Sequence, residues 1–434
     1  MEKFRFSFMF LDSNKDLEIK ADDSIIQVVV TEFSAAFAEK IDFDKYIIHL
    51  SVYRRNDAQL LKNIEALANK YKAKVPQIQQ LPQYFKKQTK DEYFFIGYNT
   101  ELNQDDILKI HATLEYLNSG RDFQKTMDEI EHLFGSIRKI YNIYAFYGAS
   151  KKHFYGEKDK TKRECRFCHQ TQATGARFTM DAHTISESLG NKRIFSYEEC
   201  DLCNDRLGSS VEQDFGEMLR IERCFFGVKG KDGVPAVKGV NFTMDNPTAG
   251  SINIKLINVD EKHIPDPNEI ELIYVSHYNP QNIYRCLVKY ALGVMPQEYV
   301  CHFNNVGSWV RGKTSLEKLP TLKRLTVDHP EIQPHLVLYI RKNDDTSMPY
   351  AVGEFHVLQY VYVFIIPLSD YDDRDFCKDE DYQHFWNYFT HYKSLNKWMN
   401  INISIDAAVD HKITLKFGGE SREPMCPSLN EKEI

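Results

Sequence analysis

Cys165 and Cys168 form one CxxC pair, Cys200 and Cys203 form a second, and 31 residues separate the two. Each CxxC turn aims two sulfurs at one point while the intervening segment supplies the return path. The four thiols therefore suit a tetrahedral Zn²⁺ with a purely structural role. Cys165 to His169 also spells CxxCH, a haem-attachment signature, against which stand the second pair and the absence of an export signal. His183 lies within the joining segment, two residues after Asp181, and Asn204 directly follows Cys203. A knuckle built only for folding needs neither. Imidazole titrates near pH 6.5, so His183 can serve as a general base. Asn204, clamped beside a zinc ligand, can hold the histidine loop or reach a metal; its alternative is a helix N-cap. Asp181 is the nearest upstream carboxylate. Glu212 lies eight residues beyond Asn204, beside the apolar stripe Val211, Phe215 and Met218 of the next helix. Such oxygen ligands suit Mg²⁺ or Mn²⁺.

In order, the chain reads CRFCHQ, MDAHTISESLGN and ECDLCNDRLGSSVEQDF. This resembles the HNH endonucleases, in the branch whose members read CxxC, xHxxPExLGN and CxxCNxxxG, over about 60 residues. The resemblance implies a ββα-metal fold: a zinc-pinned hairpin with the histidine on its first strand, then a helix completing a catalytic metal site. It implies metal-dependent hydrolysis of phosphodiesters in DNA, with His183 as base, Asn204, Asp181 and Glu212 around Mg²⁺ or Mn²⁺, and Zn²⁺ on Cys165, Cys168, Cys200 and Cys203. Two positions depart from the pattern. Ala182 stands where many members carry a metal-binding side chain before the histidine, and Ser186 stands where proline is usual. The first departure keeps a second reading open, a catalytically decayed, zinc-stabilised nucleic-acid-binding module. RNA is a further substrate option, with no RNA-recognition signature behind it. Proteins of this layout resemble restriction or anti-phage defence effectors. Double-strand cutting by a single-site enzyme usually takes two copies, so a homodimer is expected, with an activating ligand or partner protein as further expectations.

At 434 residues the chain exceeds one ordinary core, and 42% apolar content with 28 Phe and 25 Tyr can fill several. The opening MEKFRFSFMFLDSNKD alternates and is broken by charge, unlike a signal peptide. No run reaches the roughly 18 apolar residues of a membrane span. A soluble, cytoplasmic protein without a membrane partner is expected. The net charge of −7 does not advertise nucleic-acid binding. Its distribution does so locally: between Lys151 and Arg166 stand Lys151, Lys152, Lys158, Lys160, Lys162, Arg163 and Arg166 against Glu157, Asp159 and Glu164. Polyanion contact is expected there, the alternative being a solvated linker. Cys224, Cys286, Cys301, Cys377 and Cys426 have no paired spacing and read as buried or incidental thiols.

The elements that must position these residues can be read from periodicity. Phe4, Phe6, Phe8 and Phe10 alternate as a strand, and Ile26, Val29, Val30, Phe33, Phe37 and Ile41 recur at helical spacing. Strands are expected at 45–54 and 93–98, and helices at 58–71, 104–117 and 123–147. Residues 1–150 thus read as an α/β or α+β domain without a phosphate-loop signature. The zinc segment, 161–227, is followed by the Gly- and Lys-rich GVKGKDGVPAVKG at 227–239, a linker or exposed hairpin. Beyond it come a strand at 251–257, a helix with Ile283, Leu287, Val288, Ala291 and Leu292 on one face, strands at 335–341 and 350–367, and an acidic loop or helix start at 370–381. The expected class is α+β multidomain: a central ββα-metal module between an N-terminal α/β domain and a C-terminal α+β domain at 240–418, with 419–434 a disordered tail.

Overall fold

The computed structural model describes residues 2–21, 23–42, 45, 47–99, 102–147, 152–248, 251–257, 270–389, 391, 397–401 and 403–416. Lys151, Cys426 and the segment 419–434 lie outside the described residues. The chain divides into two units, Met1–Gly135 and Ser136–Ile434, and mixes helices with several separate sheets.

In the first unit, strands Asn14–Ala21, Glu2–Met9, Tyr93–Tyr98 and Tyr53–Arg55 form one sheet in that spatial order. Every pairing in it is antiparallel, so of the two expected classes this unit is α+β. The alternating phenylalanines behave as their period demands. Phe6, Phe8 and Phe10 are buried with Phe33 and Phe37 from the helix Asp23–Phe37 and with Phe85 and Phe94. Asp57 caps the helix Ala58–Tyr71 by accepting from the Leu60 amide, and Asn103 with Asp106 forms a capping box on Gln104–Ser119. The strand expected at 45–54 is two short ones, Ile47–His49 and Tyr53–Arg55.

The helix expected to run from 123 to 147 stops at Ile140, and Tyr141–Phe146 is a strand. That strand hydrogen-bonds antiparallel along Leu322–Arg341, from Leu336↔Phe146 to Arg341↔Tyr141. Its aromatic and β-branched residues suit a pleated ladder better than another turn of helix. Residues 136–147 therefore belong in space with the second unit, and the division falls earlier than residue 150.

The second unit is built on a long hairpin, Leu322–Arg341 with Ala351–Ile365, and on the helix Pro280–Val294. Periodicity assigns this helix one apolar face, yet every residue of it except Asn282 is buried. A helix covered all round must neutralise its charges. Arg285 makes a two-pronged pair with Asp406 at 2.7 and 2.8 Å, and Lys289 pairs with Glu199 and Glu212. Asn279 caps the helix through the Gln281 amide, with Pro280 in its first turn. One apolar cluster holds this helix, the inner side of the hairpin, and Cys165, Phe167, Ile185, Leu189, Ile194, Cys200, Cys203, Leu207 and Phe215. The zinc segment thus shares its core with the C-terminal part of the chain. Among the described residues no helix is long and apolar enough to cross a membrane.

Candidate functional site

Cys165 and Cys168 sit in a tight turn closed by the Cys165 amide on Gln170 O and the His169 amide on Cys165 O. His169 takes φ +57° to complete it. Cys200 is the N-cap of the helix Asp201–Gly208, and Cys203 lies one turn inside. All four sulfurs lie within 4.8 Å of one another. Cys168 Sγ and Cys200 Sγ are 3.7 Å apart, against roughly 3.8 Å for two thiolates sharing a tetrahedral zinc. The donor set fits Zn²⁺ and leaves no open position, as expected of a structural site. His169 turns outward to Glu164 at 2.8 Å. With the four thiols facing one another, CxxCH is here half of a zinc site.

His183 lies on the short strand Ala182–His183, in a three-stranded sheet with His153–Tyr155 and Ile194–Ser196. His183 registers against Phe195, whose ring is 4.4 Å from the imidazole. Three devices place this strand. Asn191 donates to Ile185 O and Ile194 O and accepts from the Arg193 and Ile194 amides, so it holds the turn after the histidine. Asp201 accepts from the amides of Thr179 and Met180 and so fixes the approach to it. Lys289 reaches from the buried helix to His183 O at 2.9 Å and Thr184 O at 3.4 Å. The helix comes this close because residue 293 is glycine: a Cβ there would meet Thr184 Cγ2 at 2.5 Å.

Lys289 also binds Glu212 at 2.7 Å and Glu199 at 3.1 Å, fully inside the protein. Burial pulls its ammonium down, but Glu199 and Glu212 outweigh burial and hold it above the ordinary lysine range. Burial pushes the Glu199 carboxyl up to about 7 against the pull of Lys289. Arg166 makes a second buried pair with Glu198, at 2.6 Å, and donates to Leu292 O and Met295 O at the end of the same helix.

On the other face of the strand His183 is half-buried. Glu187 Oε2 stands 3.8 Å from its Nε2, and its Nδ1 is buried without a hydrogen-bond partner among the described residues. Burial depresses the imidazole pKa, helped by Lys289 and Lys152 and opposed by Glu187 and Glu212. The ring is therefore neutral near pH 7. Ala182 points into the core, 1% exposed, so Asp181 and His183 lie on the outward side. Asp181 pairs with Lys152 at 3.1 Å, and the same ammonium lies 4.7 Å over Phe195. Phe154 stacks on Phe195 and Tyr197, with Arg163 over Tyr197 at 4.4 Å.

Residues 165–220 match the family model described as HNH endonuclease. This segment is an HNH nuclease module. The rest of the chain lies outside that match, and neither the curated proteins nor the solved structures include one that matches. Such a module belongs to hydrolases that act on nucleic acid.

Within the HNH module His183 and Asp181 share the outward face, whereas Glu212 is turned inward to Lys289. Asn204 lies within the helix Asp201–Gly208, whose N-cap is Cys200, so its N-cap alternative is removed. The basic stretch is only partly available to a polyanion. Arg166 is buried with Glu198, and Arg163 donates to Glu157 O and Lys158 O, leaving Lys152, Lys158, Lys160 and Lys162 exposed. Cys224 and Cys286 are buried, as their unpaired spacing suggests, while Cys301 is exposed. Sequence reasoning missed three residues. Glu187 and Asn191 were legible, since both fall inside ESLGN; Lys289, more than a hundred residues away on an apolar helix, left no signal.

Proposed function

We propose that the protein is a metal-dependent endonuclease that hydrolyses phosphodiester bonds in DNA, with His183 as the general base. The observation that carries this reading is the half-buried imidazole on the outward face of the HNH module, with the Glu187 carboxylate 3.8 Å from its Nε2. In this reading His183 takes a proton from water, the resulting hydroxide attacks phosphorus, and the leaving oxygen departs with the electrons of the broken ester bond. Glu187 offsets the charge that forms on the imidazole. Asn204, next to a zinc ligand, orients the histidine loop. Glu212 acts through Lys289, which donates to the carbonyls of His183 and Thr184, and is therefore a positioning residue. Mg²⁺ is typically held by one or two carboxylates plus substrate phosphates and water, and Glu187, the carboxylate beside His183, would hold Mg²⁺ or Mn²⁺ here. Such a cation supplies positive charge to the phosphate and the leaving oxygen. Lys152 and the half-buried Phe154 and Tyr197 rings offer cationic and stacking contacts to a nucleic acid strand.

The test is plasmid nicking at low salt by the full chain with Mg²⁺ or Mn²⁺, beside His183→Ala and a chelator control. Cleavage that needs both His183 and the divalent metal supports the reading. Buried Ala182, which removes the family's usual ligand position, favours the second reading, a decayed nucleic-acid-binding module. Inactivity with every metal, with zinc retained and DNA bound, would establish that one. We further propose a role in restriction or anti-phage defence, acting as a dimer on duplex DNA. Phage plating on cells carrying the wild type or His183→Ala tests the role: plaque reduction by the wild type alone is expected, and equal plating sinks it.

A further inference from the structure

Far along the chain from the zinc ligands, the strand Leu322–Arg341 does something a regular strand cannot. Four residues of extended chain span roughly 13 Å, yet His335 Nδ1 lies 2.5 Å from Glu331 Oε2. The ladder explains how. Glu331 pairs with Leu358 and His335 with His356, so four steps along one strand match two along the other, and a second register shift precedes Glu331. Pro330 and Pro334 stand immediately before the two residues. Neither has an amide hydrogen for the ladder, so the strand buckles there. Opposite the buckle, Leu358 takes φ +54°, a left-handed conformation costly for a leucine.

The buckle gathers ligands. His335 and His356 face each other as stacked rings with centroids 4.1 Å apart, and His356 Nδ1 is 3.9 Å from Glu331 Oε1. One ligand atom from each of Glu331, His335 and His356 lies within 4.8 Å of the others. Two ligands of one tetrahedral zinc sit roughly 3.3 Å apart, inside the span of 2.5 to 3.9 Å seen for the carboxylate and the two imidazoles.

We propose that Glu331, His335 and His356 form a second divalent-cation site of the zinc class, chemically distinct from the four-cysteine centre. The surroundings are those of a metal site. The far nitrogen of His356 meets Glu354 Oε1 at 2.6 Å, which fixes the ring with Nδ1 toward the cluster. Glu354 is in turn held by Tyr339 at 2.7 Å and His391 at 3.2 Å. A buried carboxylate on the remote nitrogen of a ligating histidine is how proteins orient such ligands. Two histidines and a carboxylate leave coordination positions for water or an added ligand, and Glu331 is 43% exposed, so the site opens to solvent. It also abuts the nuclease module. Ile332, next to Glu331, puts its carbonyl 2.6 Å from where a Cβ on Gly190 would lie, so a cation here stiffens the segment behind the turn after His183.

The experiment is metal counting on the full chain equilibrated with Zn²⁺ and freed of excess, for the wild type, Glu331→Gln and His335→Asn. Two equivalents are expected in the wild type and one in each variant. Co²⁺ added to chain already carrying one zinc should give weak visible bands without thiolate charge transfer, absent in Glu331→Gln. Glu354→Gln keeps the ligands and should weaken binding about 10–100-fold. A single equivalent in the wild type overturns the proposal. So does a second equivalent that survives both ligand substitutions. Glu331→Gln, at a half-exposed position, keeps the test valid if His335→Asn folds poorly.

Discussion

The two faces of the His183 strand are built on opposite principles. Inward, Ala182, the Lys289 pairs with Glu199 and Glu212, and the four-cysteine cluster are closed off, and every charge there has a partner. Outward, His183, Glu187, Asp181 and Lys152 are half-buried or exposed, in contacts that solvent or a ligand can replace. The inner face keeps a two-residue strand in place, since so short a strand has too few ladder bonds to hold itself. The outer face is where a base can meet water. Substitutions inside should therefore cost stability, and substitutions outside should cost activity.

The largest effect should come from removing zinc. Structural zinc in small domains is worth about 10–16 kcal/mol of apparent binding energy. Cys200→Ser with Cys203→Ser, or a strong chelator, should melt the module, read by loss of zinc and of near-UV dichroism; a near-native spectrum would break the contrast. Next, His183→Ala should lower cleavage by about 10²–10⁴ while leaving the urea midpoint unchanged. Its pH dependence has a definite sign. His183 must be neutral to act, and burial lowers its pKa below the ordinary value, so kcat/KM should rise with pH through a midpoint under about 6.5. An acid limb above that value would contradict the geometry.

Lys289→Ala sharpens the inner side of the comparison. It strands two carboxylates away from water and should cost about 3–5 kcal/mol in urea unfolding, and the protein that stays folded should cleave more slowly because the His183 carbonyl has lost its donor. Gly190→Ala should cost about 1–3 kcal/mol, because Gly190 sits at φ +96° against Ile332 O. Smallest of all, Asp181→Asn breaks an exposed pair with Lys152 and should change stability by under about 1 kcal/mol. If Asp181 helps to hold the divalent cation, the same substitution raises the Mg²⁺ concentration needed for cleavage.

Much of the module was legible because its information is local. CxxC spacing, a histidine between the pairs and the LGN turn are short-range patterns, and a metal with fixed geometry makes spacing informative. The helix at 58–71 and the strand at 93–98 could be read for a similar reason: caps and alternation act over one or two turns. The reading of 123–147 as one helix failed because Tyr141–Phe146 takes its conformation from a partner strand some two hundred residues away. Glu212 does lie beside the apolar stripe, as expected, but what it meets there is a lysine from a helix whose other residues gave no reason to expect a buried charge.

By itself the sequence determined the zinc ligands, the histidine, the family of the module and the alternation that fills the first core, since each depends on residues close along the chain. The tertiary structure decided that the module shares its core with the helix Pro280–Val294, that Lys289 grips the His183 backbone, and that Glu331, His335 and His356 converge. Those contacts depend on how distant segments register, and strand register is set by long-range pairing and by where proline interrupts the ladder.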